Sequence, residues 1–179
     1  LNNNPFTSPN VTLGLVYLIR NPLDICISYS KHLGISIDEA IKYMISNKTI
    51  SFFEVKEKKK YPFPLGRWDE HVSSWENIKS KKIIIRYEDF LEKKNETLLN
   101  LIFFFENELN IGVENKEEKI ANILKTTRFD QMKENERKYG FKEATKHSVF
   151  FRSGKNDQWK KELNLAQKDI ILNEFNLLM

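Results

Sequence analysis

A short segment near the start of the chain, residues 13–28, constrains the fold more than any other part of the sequence. Leu13 to Ile19 is a mostly apolar run with β-branched members, which is typical of a strand covered on both faces. Pro22 cannot continue the hydrogen-bond ladder of such a strand, and Leu23 to His32 then follows helical spacing. A buried strand that turns directly into a helix predicts an α/β fold, in which anions bind at the carboxyl ends of the strands.

Two side chains of this segment have the chemistry to bind an anion. Arg20 ends the predicted strand and offers a permanently charged fork of N–H donors, and Ser28 offers a hydroxyl from the following helix. Together they could hold one phosphate. The alternative is a helix-end ion pair between Arg20 and Asp24. We favour ligand binding, because an arginine at the carboxyl end of a strand is already aimed at the crevice.

A second anion-binding group comes late in the chain, at Phe151–Lys160. Gly154 allows backbone N–H groups to approach an anion, while Arg152 and Lys155 supply positive charge. A dianionic phosphate needs several charge-assisted donors, each worth roughly 1.5–3 kcal/mol. Donors from two distant segments would give such a phosphate a pocket rather than a surface patch.

The order of four motifs resembles that of the sulfotransferase family: Leu65–Trp75 and Ile85–Phe90 lie between the two anion-binding groups. Members of this family move a sulfuryl group from 3′-phosphoadenosine 5′-phosphosulfate (PAPS) onto a hydroxyl or amine. The resemblance implies an α/β, P-loop-like three-layer fold with a parallel sheet, and a single domain over residues 1–179. It also implies a small-molecule or carbohydrate acceptor, whose identity the sequence does not specify.

The family's domain begins earlier than this resemblance does, with a strand, a lysine-bearing loop around the 5′-phosphosulfate and a catalytic histidine. The chain contains no Gly-x-x-x-x-Gly-Lys-Ser/Thr and no Pro-Lys-Ser-Gly-like loop, and none of its three histidines matches the family's base. We therefore expect a fragment that lacks the N-terminal strand, loop and helix. No residue is assigned as catalytic.

The resemblance assigns residues to the 3′-phosphate of PAPS at two places. Arg20 and Ser28 look like the family's pair for this phosphate, and Arg152–Gly154 resembles the loop that closes over it. Asp157 departs from the family's Arg-x-Gly-x-x-Gly pattern, which has glycine at that position. A carboxylate beside a phosphate would oppose binding, so this departure bears on the geometry of the loop.

The resemblance also assigns residues to the base and to the acceptor. Tyr87 matches a tyrosine near the adenine, and Thr127 and Phe129 match the family's Thr-Ser-Phe pattern, in which Arg128 replaces the small hydroxyl residue. Phe129 could stack on the base, although a core role is the alternative for both aromatic residues. His32 falls where relatives have an aromatic that lines the acceptor pocket. The full set for PAPS is Arg20, Ser28, Tyr87, Thr127, Phe129, Arg152, Ser153 and Gly154.

Composition narrows the remaining function classes. The 29 basic residues are interspersed with 25 acidic ones for a net charge of +4, so a nucleic-acid surface is not indicated. The sequence has no apolar run long enough for a membrane span and no Cys/His ligand cluster, and we expect a cytoplasmic protein without a metal. The lone cysteine, Cys26, is expected to be a buried, inert thiol.

Two alternatives to an enzyme stay open: a noncatalytic module that binds adenosine 3′,5′-bisphosphate, and a basic nucleic-acid-binding protein. The oligomeric state is not assigned.

Periodicity and turn signals predict the other elements. A capping box, Ser36-x-x-Glu39, predicts a helix that begins near Asp38. Trp68, Trp75 and Trp159 are expected to pack in the core. The predicted helices are residues 38–47, 66–77, 90–105, 116–125 and 165–179, with a strand at 83–85 that parallels the first, a mobile surface connection at 52–64 and a flexible lid or loop at 137–148.

Overall fold

The structure is a computed structural model that describes residues 11–55 and 59–176. These residues contain both strands and helices, with helices between the first strand and the last, as the α/β prediction requires. The strands are β1 (Leu15–Ile19), β2 (Ile50–Val55), β3 (Lys59–Pro64) and β4 (Lys82–Arg86). The helices are α1 (Pro22–Leu33), α2 (Ile37–Ile45), α3 (Trp68–Glu76), α4 (Tyr87–Glu92), α5 (Lys94–Phe103), α6 (Lys116–Thr126), α7 (Phe129–Tyr139), α8 (Trp159–Glu162) and α9 (Leu165–Glu174), with a π-helical turn at Phe104–Glu108 after α5.

The chain divides into two compact units. The first comprises Leu1–Arg20 with Ile78–Glu134, and the second comprises Asn21–Asn77 with Asn135–Met179. The single domain expected over residues 1–179 stays a prediction.

The first unit contains the predicted parallel pair of strands. β1 and β4 run parallel in a register that places Leu15 beside Lys82 and Ile19 beside Arg86, which confirms the predicted pairing. Alternate side chains of a strand face opposite sides of the sheet. Val16 and Leu18 are 50% and 54% exposed, so the expectation that β1 is covered on both faces is wrong for the described part of the chain.

The predicted helix at 90–105 is divided in the structure. α4 ends and α5 begins at Lys93, whose φ of −125° and ψ of 43° lie outside the helical region. The Lys93 backbone N–H donates to the carbonyl of Asp89, which closes α4. The Thr97 hydroxyl donates to the same carbonyl from the second turn of α5. A single non-helical residue leaves hydrophobic periodicity almost unchanged, so the sequence pattern did not show the break.

The second unit has a helical core around α1. The α1 helix begins with Asn21 as its cap, whose side chain accepts the N–H of Leu23, and it ends at Gly34 in the left-handed conformation. The predicted capping box of α2 is present, because Ser36 and Glu39 each bond the other's backbone N–H. Residues from α1, α2, α8 and α9 pack together with the residue that follows α9: Leu23, Cys26, Ile27, Ala40, Ile41, Met44, Trp159, Ile171 and Phe175.

The connection predicted at 52–64 is instead a β-ribbon. β2 and β3 pair antiparallel, with Ile50 opposite Pro64 and Val55 opposite Lys59. The prediction relied on lysines and two prolines, which are unfavourable inside a sheet. Both strands of a two-stranded ribbon are edge strands, however, and a proline can turn its missing N–H away from the partner. The mobile connection is therefore wrong for the described residues of this segment.

The last third of the second unit differs from the sequence prediction in two places. Residues 137–139 belong to α7, so the predicted loop begins only after Tyr139. The Thr145 hydroxyl then donates to the carbonyl of His32, which ties the loop to the end of α1. The predicted closing helix ends at Glu174, and its last three residues lie outside the described residues. Among residues 11–55 and 59–176, no helix is both long and apolar enough to cross a bilayer.

Candidate functional site

In the first unit, the structure brings together two of the predicted site residues. Arg20 follows β1 and Tyr87 follows β4, and these strands end side by side at Ile19 and Arg86. The Arg20 guanidinium carbon lies 4.4 Å from the centre of the Tyr87 ring, which is a cation–π contact. Both side chains are half-buried. They therefore stand at the carboxyl edge of a parallel sheet, where α/β proteins bind their ligands.

The other predicted residues of this unit lie where α6 ends and α7 begins. The Thr127 hydroxyl donates to the carbonyl of Ile123, and the ammonium of Lys94 donates to that hydroxyl oxygen at 2.7 Å. Burial lowers the pKa of Lys94. Phe129 begins α7 and is 36% exposed. A partly exposed phenylalanine has surface available for stacking on a base, which a fully buried one lacks.

Arg128, the departure from the family's Thr-Ser-Phe pattern, has a local partner. Its Nε and Nη2 atoms donate to the two carboxylate oxygens of Asp130 at 3.1 and 2.8 Å. This hydrogen bonding raises the pKa of Arg128 and lowers the pKa of Asp130. Both side chains are highly exposed, so Arg128 forms a surface ion pair with Asp130.

In the second unit, one face of α1 carries three residues of interest at intervals of four. Asp24, Ser28 and His32 follow one another at the spacing that places helical side chains on the same side. Asp24 is 1% exposed, whereas Ser28 and His32 are half-buried. Ser28 therefore lies one turn from a buried carboxylate, and that carboxylate contacts the second anion-binding motif.

The contact joins Asp24 to the end of the motif. Its two carboxylate oxygens accept the backbone N–H groups of Asp157 at 2.8 Å and Trp159 at 3.2 Å. The Trp159 ring packs in the core with residues of α1, as expected from the sequence. The structure thus places the end of the motif against the helix that bears Ser28.

The backbone of the motif has left-handed conformations at two positions. Gly154 has a φ of 60°, and Asp157 also has a φ of 60°. These are the two positions at which the family pattern has glycine. Aspartate tolerates the left-handed region better than most residues, so the chain keeps the backbone conformation at Asp157 without the glycine.

Side chains within the motif hold each other. The Arg152 Nη2 atom donates to the Gln158 Oε1 atom at 2.6 Å, which uses one of the five N–H donors of the guanidinium. The Asp157 carboxylate, the feature expected to oppose a phosphate, accepts from the Lys160 ammonium at 2.7 Å. This surface ion pair offsets part of the negative charge. The remaining donors of Arg152 and the Gly154 backbone are compatible with a bound phosphate.

A residue that sequence reasoning missed holds the other end of the motif. The Glu136 carboxylate, 8% exposed, accepts the backbone N–H groups of Phe150 at 2.6 Å and Phe151 at 2.9 Å. These residues immediately precede Arg152. The sequence offered no signal, because a glutamate in a charged helical segment is ordinarily solvated.

The buried thiol prediction is confirmed. Cys26 has no exposed surface, and its Sγ atom lies 3.8 Å from the carbonyl oxygen of Ile37. Burial, with a smaller contribution from the charge of Asp38, raises the pKa of the thiol to about 12. A thiol with that pKa stays protonated at neutral pH and is a poor nucleophile.

The family model described as Sulfotransferase domain matches residues 6–176. The chain belongs to the sulfotransferase family.

Among similar proteins, sulfotransferase 1E1 of Cavia porcellus is 29% identical over 162 residues, which are 85% of this chain and 50% of that protein. The 3-beta-hydroxysteroid sulfotransferase of Cavia porcellus is 27% identical over 169 residues, 87% of this chain and 52% of that protein. The chain spans about half the length of the curated relatives it matches.

Solved structures confirm the predicted fold class. Mouse sulfotransferase SULT7A1 complexed with PAP matches with a TM-score of 0.61 and 20% identity, over 91% of this chain and 58% of that one. Retinol dehydratase in complex with androsterone and the inactive cofactor PAP matches with a TM-score of 0.62 and 18% identity, over 92% of this chain and 48% of that one. At such identities the likeness concerns the fold, which is the P-loop-like α/β fold of sulfotransferases.

Proposed function

We propose that this protein is a sulfotransferase that moves a sulfuryl group from PAPS to a hydroxyl or amine of a small-molecule or carbohydrate acceptor. Family membership supports the reaction class, and the PAP complexes of the structural neighbours support the donor. PAPS would supply the sulfuryl group. The role of the residues of this chain would be to bind and orient the nucleotide.

The observation that carries the proposal is the conformation of the segment after Phe151. Its two left-handed residues, Gly154 and Asp157, stand where the family's phosphate loop has glycine, and its end is bonded to the helix that carries Ser28. We assign the 3′-phosphate to Arg152, Ser153 and Gly154 together with Ser28. A charged guanidinium, a backbone N–H and hydroxyls are the donors that a dianion requires.

The residues of the first unit are assigned to the same nucleotide. The Arg20 guanidinium would donate to the 3′-phosphate, while its contact with Tyr87 limits the rotamers of a long side chain. Tyr87, Thr127 and Phe129 would face the adenosine. His32 is proposed as a contact of the acceptor. The catalytic group stays unassigned.

The experiment is calorimetric titration with adenosine 3′,5′-bisphosphate (PAP) and with adenosine 5′-monophosphate (AMP), which lacks the 3′-phosphate. The protein should prefer PAP. Arg152→Met should weaken PAP binding by about 10- to 100-fold, since a hydrogen bond to a charged group contributes about 1.5–3 kcal/mol and 1.4 kcal/mol is tenfold. AMP binding should change little. Arg137→Met, at an exposed position of α7, is the matched control and should leave both affinities unchanged.

A transfer assay with labelled PAPS then separates the enzyme from its rival. Hydroxysteroids are the first acceptors to try, because a similar protein is named for them. Transfer supports the sulfotransferase, whereas PAP-selective binding without transfer would favour the noncatalytic module. Equal binding of PAP and AMP would overturn the phosphate assignment. Strongly salt-dependent affinity for random oligonucleotides would instead favour a nucleic-acid-binding protein.

A further inference from the structure

Two buried carboxylates stand at the two ends of the phosphate-loop segment, residues 152–156. Glu136 accepts the N–H groups of Phe150 and Phe151 just before the segment, and Asp24 accepts those of Asp157 and Trp159 just after it. Each carboxylate therefore holds two backbone donors. All of these residues belong to the second unit.

The burial of these groups indicates a specific role. A carboxylate removed from water is costly unless hydrogen bonds replace its hydration, and Asp24 and Glu136 are 1% and 8% exposed. Among the described residues, no lysine or arginine side chain forms a salt bridge with Asp24 or with Glu136. Backbone N–H groups of the loop provide the compensation instead. The carboxylates and the loop ends consequently depend on each other.

The two contacts act on a segment that needs to be held. Gly154 and Asp157 both adopt the left-handed conformation, and Arg152 carries a long side chain whose head is held by Gln158. A segment fixed at both ends has fewer conformations to lose when a ligand orders it, so binding is tighter for the same contacts. Neither carboxylate would itself touch the phosphate.

We propose that Asp24 and Glu136 are positioning residues that hold the 152–156 segment in its phosphate-binding conformation before the nucleotide arrives. This inference rests on the proposed function, since it concerns the segment assigned to the 3′-phosphate. The anchoring role and a purely electrostatic role predict opposite changes in PAP affinity. Negative charge near a phosphate weakens binding, so neutralising a carboxylate that acted only through its charge would tighten PAP binding. Neutralising a carboxylate that anchors the loop would weaken PAP binding.

The variants Asp24→Asn and Glu136→Gln test this sign. An amide has one oxygen acceptor and presents N–H donors where the second oxygen was, so it cannot accept both backbone N–H groups. Asp157→Asn is the matched control, because it removes one negative charge from the residue that directly follows the segment. The exposed carboxylate of Asp157 accepts from the Lys160 side chain rather than from the backbone of the loop.

The measurement is the ratio of PAP to AMP affinity by calorimetry at constant ionic strength. Asp24→Asn and Glu136→Gln should each weaken PAP binding at least tenfold and change AMP binding less than twofold. Asp157→Asn should leave PAP binding within twofold or tighten it. If the two anchors hold one segment, the double variant should lose less than the product of the single losses.

Hydrogen exchange is the second readout, since it reports the loop without a ligand. The backbone N–H groups of residues 150, 151, 157 and 159 should exchange faster in the anchor variants, while the helical amides of α1 keep their protection. Asp24 is in the core, so thermal unfolding by circular dichroism is measured for each variant. Should Asp24→Asn not fold, Glu136→Gln decides the outcome.

Each result has one meaning. Anchor variants that are folded and keep the wild-type PAP to AMP ratio, or that bind PAP more tightly, would overturn the inference. A wild-type protein without preference for PAP would overturn the proposed function instead. The wild-type ratio and its change on substitution are separate numbers, so the two failures are distinguishable.

Discussion

Arg67 offers the sharpest test of how the second unit is held together. Its guanidinium donates to the carbonyl of Ile45 at 2.9 Å and to the carbonyl of Glu174 at 3.0 Å, and these are the last residues of α2 and α9. It also pairs with the carboxylates of Asp69 and Glu174. Carbonyls at a helix end lack partners within the helix, and a cation there also favours the helix dipole. Arg67 therefore caps two helices at once.

We expect Arg67→Met to lower the free energy of unfolding by about 2–4 kcal/mol. A hydrogen bond from a charged donor contributes roughly 1.5–3 kcal/mol, which we lower to about 1–2 kcal/mol for each carbonyl because the Arg67 side chain is still 22% exposed to solvent. The ion pairs add at most about 0–1 kcal/mol each, since Asp69 and Glu174 are 34% and 43% exposed. Methionine keeps an unbranched apolar stem but lacks the guanidinium, whose carbon lies 5.7 Å from the centre of the Phe175 ring.

A second arginine provides a matched control. Arg128 pairs with Asp130 through the same two atoms that Arg67 uses for Asp69, Nε and Nη2, and in both cases the aspartate is two residues on. Within the part of the chain that the structure describes, Arg128 makes no comparable contact with a helix end, and its side chain is 67% exposed. Arg128→Met should therefore leave stability nearly unchanged.

The assay is equilibrium urea unfolding followed by circular dichroism, at low salt and in 1 M NaCl. With a urea dependence of about 2 kcal/mol per molar, the midpoint of Arg67→Met should fall by about 1–2 M. High salt should reduce the loss only slightly, because it screens exposed ion pairs far more than partly buried contacts. The reasoning is refuted if Arg67→Met loses no more than Arg128→Met, or if 1 M NaCl abolishes the difference.

Two further predictions concern Gly34 and Cys26. Gly34 and Gly140 both have positive φ, 67° and 73°, but a Cβ on Gly34 would collide with the His147 ring whereas one on Gly140 meets nothing within 4 Å. Gly140→Ala should cost about 1–2 kcal/mol for its backbone alone, and Gly34→Ala should cost more in urea unfolding; equal costs would contradict the collision. Cys26, with a pKa of about 12, should resist iodoacetamide at pH 8 in the folded protein and react once urea unfolds it, and rapid labelling of the folded protein would contradict its burial.

Sequence reasoning succeeded where the signal was local. The capping box of Ser36 and Glu39 lies within four residues, and the structure reproduces it bond for bond. The parallel pairing of β1 with β4 was also predictable, because two short apolar strands separated by helices leave few other topologies. Arg20 and Tyr87 then meet, since each immediately follows one of these strands.

Sequence reasoning failed where a residue contacts a partner that is distant in the sequence, or where a segment pairs with another strand. The contacts of Arg67 reach residues 22 and 107 positions away, and no periodicity records them. The β2–β3 ribbon was missed because its lysines and prolines resemble a loop, whereas the ribbon depends on cross-strand pairing. The role of Glu136 was missed for a related reason. Its partners are backbone N–H groups, which nearly every residue has, so no residue type in the sequence marks them.

The stripe on α1 shows how a predicted site depends on residues that were not predicted. Asp24, Ser28 and His32 occupy successive turns of one helix face, so a rigid helix fixes their spacing. Ser28 and His32 were assigned to ligands from the resemblance, and Asp24 entered only as an alternative partner for Arg20. In the structure, Asp24 uses both oxygens on the loop that ends at Trp159. The side chains of a binding site are positioned by the residues that support them. Asp24, for which no ligand is proposed, should therefore control how well Ser28 and His32 bind theirs.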